Sequence, residues 1–286
     1  MVSMNELHVG HGTTRDAMTI FPIWGEFTST LSSTADVVVG ECTRGAQVGT
    51  LQVVNRGAGP ALLLEGQVLV GGWQNRMLAR SVVVERHARA DVDVVCVEEQ
   101  RWNGDATHRH ADRRASLRIR AGLRQDADSQ SAVWERVRHY EERHGATRTR
   151  SFTDHADRRA SQVESLIADL RPLPGQLGVL VALAGQPAVT EVFGNDHLLQ
   201  RDFDSILRAA ALDALDLAPT PTPSRRARRF LERAAVTSVR RTRPAGDGWS
   251  VEGVSQYVHI SGLDHGGGAV HRVLTNPRHE LALAGA

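Results

Sequence analysis

The sequence predicts an α+β protein: a β-rich N-terminal half, a helical middle and a helix-strand C-terminal third around one continuous core. Three observations predict it. Up to Cys96 short apolar runs are divided by Gly, Asn and Pro, the punctuation of strands and turns. From Val133 to Leu217 apolar residues recur mainly at helical spacing. Beyond Pro223 strand-like runs return after one Arg-rich stretch.

In chain order, the candidate strands of the first third are residues 17–24, 36–42, 48–55, 61–72, 77–84 and 91–97. The segment 55–60, Asn-Arg-Gly-Ala-Gly-Pro, supplies a reversal. The near-continuous apolar character of 36–42 and 91–97 predicts strands covered on both faces. Residues 101–128, rich in Arg, Asp and His, are expected to be irregular and solvated, apart from a short element near 115–123. Val133, Trp134 and Val137 mark one helix, and Val163, Leu166, Ile167 and Leu170 another, stopped by Pro172 and Pro174. Residues 177–184 and 188–193 flank Gly185-Gln-Pro187 as a hairpin. Asn195 or Asp196 then caps a helix from about 197 to 217. Pro219 to Pro223 is a stiff spacer. A helix near 224–235 and three strands at 236–240, 249–260 and 269–274 complete the chain.

The whole of 1–286 is expected to be one domain, with sub-divisions at 1–128, 129–218 and 224–286. The hydrophobic fraction of 41% is ample for a packed core. No apolar run approaches a membrane span and the first 30 residues interleave charges, so a cytoplasmic protein away from membranes is expected. Cys42 and Cys96 are expected to be buried free thiols. All 34 basic residues are arginine. Without lysine there is no Schiff base, no lysine general base and no P-loop. A net charge of +1 offers no global field for nucleic acid, and the run from Arg225 to Arg243 is the one local patch that could supply it. A solvated helix face or contact with acidic neighbours is the expected reading of that patch. Histidines at 8, 11, 108, 110, 259, 265 and 271 match no closed metal spacing, and no cofactor is expected. His-Ala-Asp-Arg-Arg-Ala-Ser occurs at 110–116 and again at 155–161, but the flanks differ, so coincidence is preferred over duplication.

Two segments concentrate polar chemistry. Gly71-Gly-Trp-Gln-Asn-Arg76 follows a buried strand with three hydrogen-bonding side chains, of which Arg76 could take an anion bidentately. At 93–102 an apolar strand ends in Glu98, Glu99, Gln100, Arg101 and Trp102. Strand alternation sends Glu98 and Glu99 to opposite faces, so each needs its own partner and the two are no dyad. A carboxylate at the rim of a core strand is costly to bury unpaired. Three readings remain open: a structural Glu-Arg lock, a site in which Glu98 is a ligand-binding or catalytic carboxylate, or a solvated strand end.

These motifs, with Thr19-Ile-Phe-Pro22, Gly49-Thr-Leu-x-Val-x-Asn55, Glu65-Gly66, Arg114-Ala-Ser116, Gln130-x-x-x-Trp134, Gly175-Gln-x-Gly178 and Phe193-Gly194, occur in an order that resembles the bacterial ARG and rhodanese-phosphatase-superfamily-associated protein domain. The resemblance covers most of the chain. It implies a link to ADP-ribose or NAD-derived metabolites and no stated reaction. In the family pattern a lysine often precedes Gln-Asn-Arg and a glycine often precedes Arg-Trp. Here Trp73 and Gln100 stand there, which puts any anion contact or tight turn from those positions in doubt. The expectation is a pocket for a polar, anionic small molecule of ADP-ribose or nucleotide type, lined by Glu65, Gln74, Asn75, Arg76, Arg101 and Trp102. Within it Glu98 orients water or a sugar hydroxyl. The rivals are a non-catalytic regulatory or protein-interaction module and a nucleic-acid binder. Glu98 sealed in a salt bridge favours the module; a recess holding it beside a free arginine favours the ligand reading.

Overall fold

The computed structural model describes residues 7–26, 29–33, 36–42, 47–124 and 128–283. Three short strands open the chain: β1 (His8–Val9), β2 (Thr13–Arg15) and β3 (Met18–Trp24). Eight follow: β4 (Val37–Gly40), β5 (Thr50–Asn55), β6 (Ala61–Leu63), β7 (Gln67–Gly71), β8 (Arg76–Leu78), β9 (Val82–Val84), β10 (Arg89–Cys96) and β11 (Thr107–Arg114). β10, β5, β4, β11, β7 and β8 close, in that order, into an antiparallel barrel, while β6 and β9 pair as a separate ribbon. Cross-strand partners share a face, and alternate residues return to it. The registers therefore place Val39, Leu51, Leu69, Arg76, Val92, Cys96 and His108 on one face. All are buried, so this face is the barrel's interior.

The middle block is helical: α1 (Leu117–Arg120), α2 (Ser129–His144), α3 (Phe152–Arg158) and α4 (Ala160–Ile167). It is followed by β12 (Gly178–Leu183), β13 (Gln186–Phe193), α5 (Asp196–Ala214), α6 (Ser224–Ala235), β14 (Arg240–Ala245), β15 (Gly248–Val254), β16 (His259–His265), β17 (Gly268–Thr275) and α7 (Glu280–Leu283). A second antiparallel sheet gathers both ends of the chain in the order β1-β3-β12-β13-β17-β16-β15-β14, with β2 added on β3. Along β12 the pleat divides the apolar residues. Val179, Val181 and Leu183 join an apolar cluster that runs through the barrel and α5; Leu180 and Ala182 join a second cluster with Phe230 and Leu231 of α6. Both faces of the central strands are thus covered. The protein is α+β, with its strands at the start and end and its helices in the middle.

Local expectations fare unevenly. Asn195 caps α5, its side chain accepting from the Leu198 N–H at 3.0 Å. The β12–β13 turn is Ala184-Gly185, both with positive φ (46° and 82°), as a two-residue hairpin of twisted strands requires; Pro187 lies inside β13, not in the turn. The 219–223 spacer is pinned to the sheet, since the Thr222 N–H donates to Thr19 Oγ1 at 3.1 Å. Residues 107–114 are not irregular: they form β11, which seals the barrel between β4 and β7. Pairing on both sides overrides composition there, and the charged residues sit on the outward face or inside polar networks. β4 is buried only at Val39 and otherwise half-exposed, because a barrel strand hides one face. Cys42 lies beyond β4 and is half-buried, whereas Cys96 is buried; both are free thiols. The stretch 249–260 divides into β15 and β16, giving four terminal strands. The first copy of the repeated heptapeptide runs from β11 into the cap of α1, the second through α3 into α4, so one sequence adopts two structures. Part of the expected loop, 125–127, lies outside the described residues. No helix among the described residues is long and apolar enough to cross a membrane.

Candidate functional site

The two polar segments do meet. β8 pairs with β10 so that Arg76 opposes Cys96, which brings the residues just before β8 against those just after β10. The Asn75 N–H donates to Glu98 Oε2 at 2.9 Å, and Gln74 Nε2 donates to the Glu98 carbonyl at 2.8 Å. Residues 97–100 also run beside 149–152, through Gln100 N–H to Thr149 O (3.0 Å) and Phe152 N–H to Val97 O (2.9 Å).

Inside this corner Glu98 is 3% exposed and its oxygens are engaged. Oε1 accepts from Thr149 Oγ1 at 2.6 Å and from Arg101 Nε at 3.0 Å, and Oε2 from Asn75 N–H and from Arg101 Nη2 at 2.8 Å. Burial pushes this carboxyl up, but hydrogen bonds from Arg101, Thr149 and the Asn75 N–H outweigh it and hold it below the ordinary range. Arg101 spends its other donors on the carbonyls of Gly72 (2.6 Å), Gly71 (3.1 Å) and Asn103 (2.9 Å). Glu99 turns the other way, to Arg138 and Arg150, each at 3.2 Å. Arg76 is not poised for an anion. Its Nη1 donates to the carbonyls of Gln47 and Val48, both at 2.6 Å, and its Nη2 to Glu41 Oε1 at 3.4 Å. Trp102 is 46% exposed and meets Trp73 edge to face at 5.5 Å.

Glu65 does not belong to that cluster. Gly66, at φ 79°, turns the chain between β6 and β7, and a β carbon there would stand 2.7 Å from Arg120 Cδ, so glycine lets the Arg120 stem cross the turn. Arg120 Nη2 then reaches Glu65 Oε1 at 3.2 Å and its Nη1 reaches Glu191 Oε1 at 2.8 Å. Glu191 Oε2 takes Arg114 Nη1 and faces His271 Nε2 at 3.0 Å, while the other His271 nitrogen faces Ser81 Oγ at 3.0 Å. Ser261 donates to Glu65 Oε2 at 3.0 Å, and Arg114 Nη2 donates to the Glu65 carbonyl at 2.6 Å. Glu191, Arg114, Arg120, Glu65 and His271 are all buried. Against the cost of burial, the charges of Arg114 and Arg120 hold the Glu191 carboxyl well below its usual range. Burial pushes His271 down although Glu191 opposes it. This network joins the barrel strand β11 and the helix α1 to the sheet strands β13, β16 and β17.

Beside the network lies a cavity of about 270 Å³, lined by Glu65, Arg120, His259 and Thr275 and by the apolar Leu117 and Pro277. A cleft of about 380 Å³, bordered by Arg113, Arg201 and Arg208, is larger. Its arginines, however, are already paired, with Asp157, Asp202 and Glu164. Across 6–275 the chain matches the model of the ARG and rhodanese-phosphatase-superfamily-associated protein domain. The chain belongs to this family. No curated protein and no solved structure matches it. Within this family member the Gln-Asn-Arg and Cys-Val-Glu-x-x-Arg-Trp motifs build the barrel corner, and Glu65-Gly66 and Arg114-Ala-Ser116 build the network. Sequence reasoning missed Glu191 as a site residue, although a lone carboxylate inside the apolar run 188–193 is a signal, since such a group needs a buried partner. It missed Glu41 as well and weighed His108 only for a metal. Among the described residues no three His, Cys, Asp or Glu side chains gather to hold a metal ion.

The Arg-rich run is divided. Arg225, Arg228 and Arg229 are exposed on α6. Arg233 lies over the Tyr257 ring at 3.9 Å, Arg241 pairs with Asp264 at 3.1 Å and Arg243 with Asp93 at 3.6 Å. β14 ends the sheet, where charged side chains guard an open edge against pairing with another chain.

Proposed function

We propose that this protein binds a small sugar-bearing metabolite, of nucleotide or ADP-ribose type, in the cavity beside Glu65, and that it acts as a binding module. The observation that carries the reading is the junction of the Glu65 carboxylate, Arg120 and a partly open cavity of about 270 Å³. A carboxylate at a pocket wall accepts hydrogen bonds from hydroxyls, and Leu117 and Pro277 offer a flat apolar portion its contact. The volume falls just below the roughly 300–1,000 Å³ of drug-sized sites, so it admits a sugar or nucleoside portion. An anion entering head-on would face Glu65, so the phosphates of such a metabolite point outwards. Binding without chemistry is supported by Glu98, whose oxygens hold a loop through Arg101 and Thr149, leaving it a positioning role.

Thermal denaturation with ADP-ribose, NAD, nucleoside phosphates and ribose tests this. A ligand at one hundred times its Kd adds about 2.7 kcal/mol to stability. We expect a shift with at least one of these compounds, lost in Glu65→Gln and kept in Glu98→Gln. Unchanged melting across the panel, or a shift that survives Glu65→Gln, refutes the cavity assignment. Loss in Glu98→Gln alone would move the site to the barrel corner.

A further inference from the structure

We infer that the cleft of about 380 Å³ bordered by β11 is a second binding site, for a small organic cation of guanidinium or ammonium type that also carries an acceptor oxygen. It shares no lining residue with the Glu65 cavity, and its volume lies within the range of small-molecule sites. Ion pairing around it is lopsided. Arg113 pairs with Asp157 at 2.5 Å, Arg201 with Asp202 at 2.6 Å, Arg208 with Glu164 at 2.6 Å, and the buried Arg114 with Glu191. Every arginine of the lining thus has its own carboxylate. Asp112 of β11 and Asp204 of α5 line the same cleft, and among the described residues neither side chain makes a hydrogen bond or an ion pair.

Two features set these carboxylates apart from ordinary solvated ones. The register of β11 against β7 shifts between His110 and Arg114, and Asp112, inside the shift, has φ 45°. Irregularities of this kind re-aim a side chain and recur beside binding sites. The second feature is Gln67, which lines the cleft and is 8% exposed. Its Oε1 accepts from the Leu64 N–H at 2.8 Å, while its Nε2 has no acceptor among the described residues. A buried donor without a partner is rare and calls for an explanation; an acceptor oxygen entering the cleft would complete it.

With its arginines neutralised in place, the cleft presents two spare negative charges and one spare donor. An anion would meet Asp112 and Asp204 with every neighbouring arginine already engaged. A metal is disfavoured, since among the described residues no three ligating side chains gather and Asp202 is held by Arg201. A guanidinium or ammonium group, by contrast, has only donors and can address both carboxylates. Val37, Ala61 and Leu62 offer an apolar wall to its aliphatic stem.

The test uses γ-guanidinobutyramide, which carries the cation and a carbonyl, and its urea counterpart γ-ureidobutyramide, which has the same shape without the charge. Both are titrated into the protein by calorimetry at low salt. The guanidinium compound is expected to saturate, and the urea to bind about tenfold more weakly or less. Asp112→Asn, which keeps a residue suited to the positive φ, and Asp204→Asn should each weaken binding of the cation about tenfold, while Arg229→Ala leaves it unchanged. Equal binding of the two compounds, no saturable response to the guanidinium compound, or an unaltered affinity in either aspartate variant overturns the assignment. The comparison on the unaltered protein stands even if a variant fails to fold, and none of these outcomes bears on ligand binding in the Glu65 cavity.

Discussion

Replacing His108 by glutamine tests the barrel interior through its pH dependence. Burial depresses the His108 pKa to about 4 from an ordinary 6.5. A folded-state pKa below the unfolded value means that protonation favours unfolding. The neutral ring's contribution is therefore whole above about pH 6.5 and is lost as pH falls from there towards 4. Linkage between those two values amounts to roughly 2 kcal/mol lost between pH 7 and pH 5. Glutamine keeps a donor for the Gln74 carbonyl but does not titrate, so the variant should lack that portion of the acid destabilisation. Urea unfolding of both proteins at pH 7, 6 and 5 gives the difference directly. Other buried histidines, such as His271, contribute equally to both and cancel. If the two proteins lose stability in parallel between pH 7 and 5, His108 is not neutral inside the barrel.

Other outcomes follow from the same contacts. Glu191→Gln strands the positive charges of Arg114 and Arg120 and should cost about 3–5 kcal/mol in urea unfolding; a loss under about 1 kcal/mol would show that the network is not the anchor between barrel and sheet. Gly72→Ala sets a β carbon against the His108 ring at a positive φ and should lower stability by about 1–3 kcal/mol; a neutral effect contradicts the packing described. With a thiol reagent, Cys42 should react first, and Cys96, buried and pushed up to about 11, only on unfolding. Glu65→Gln and Glu41→Gln should be additive in stability to within about 0.5 kcal/mol, and a larger coupling would mean that the two polar clusters are connected.

Much of the fold was legible because strand and helix periods are local properties of the chain. The Asn195 cap, the hairpin after β12 and the opposed side chains of Glu98 and Glu99 all rest on rules that need only neighbouring residues. β11 was illegible for the complementary reason. Its sequence, Thr-His-Arg-His-Ala-Asp-Arg-Arg, has no apolar alternation, because His108 and Arg114 fill inward positions that valine or leucine would normally take. Its partners, β4 and β7, lie more than 30 residues away, and pairing of that range leaves no trace in composition. The same holds for Glu191. Its partners come from 71 to 80 residues away, and only the fold shows that they converge on it.

The grouping of Glu65 with Arg76 fails for a geometric reason that also explains the architecture. Both lie close in sequence, one just before β7 and the other in β8, and sequence proximity suggested a single pocket. β7, however, is an extended strand, and its register against β11 fixes where each end goes: Gln67 opposes Arg114 of the buried network, and Gly71 opposes His108 inside the barrel. At about 3.3 Å per residue, the six-residue step from His108 to Arg114 along β11 separates the two ends by on the order of 20 Å. One pair of strands thus carries a polar site at each end. At one end Glu65 and Glu191 are paired with Arg114 and Arg120 across the barrel and the sheet, with Arg120 Nε left unmatched beside the cavity. At the other, Arg76 and His108 fill the barrel's interior beside Glu41, 3.4 Å and 3.9 Å from its Oε1.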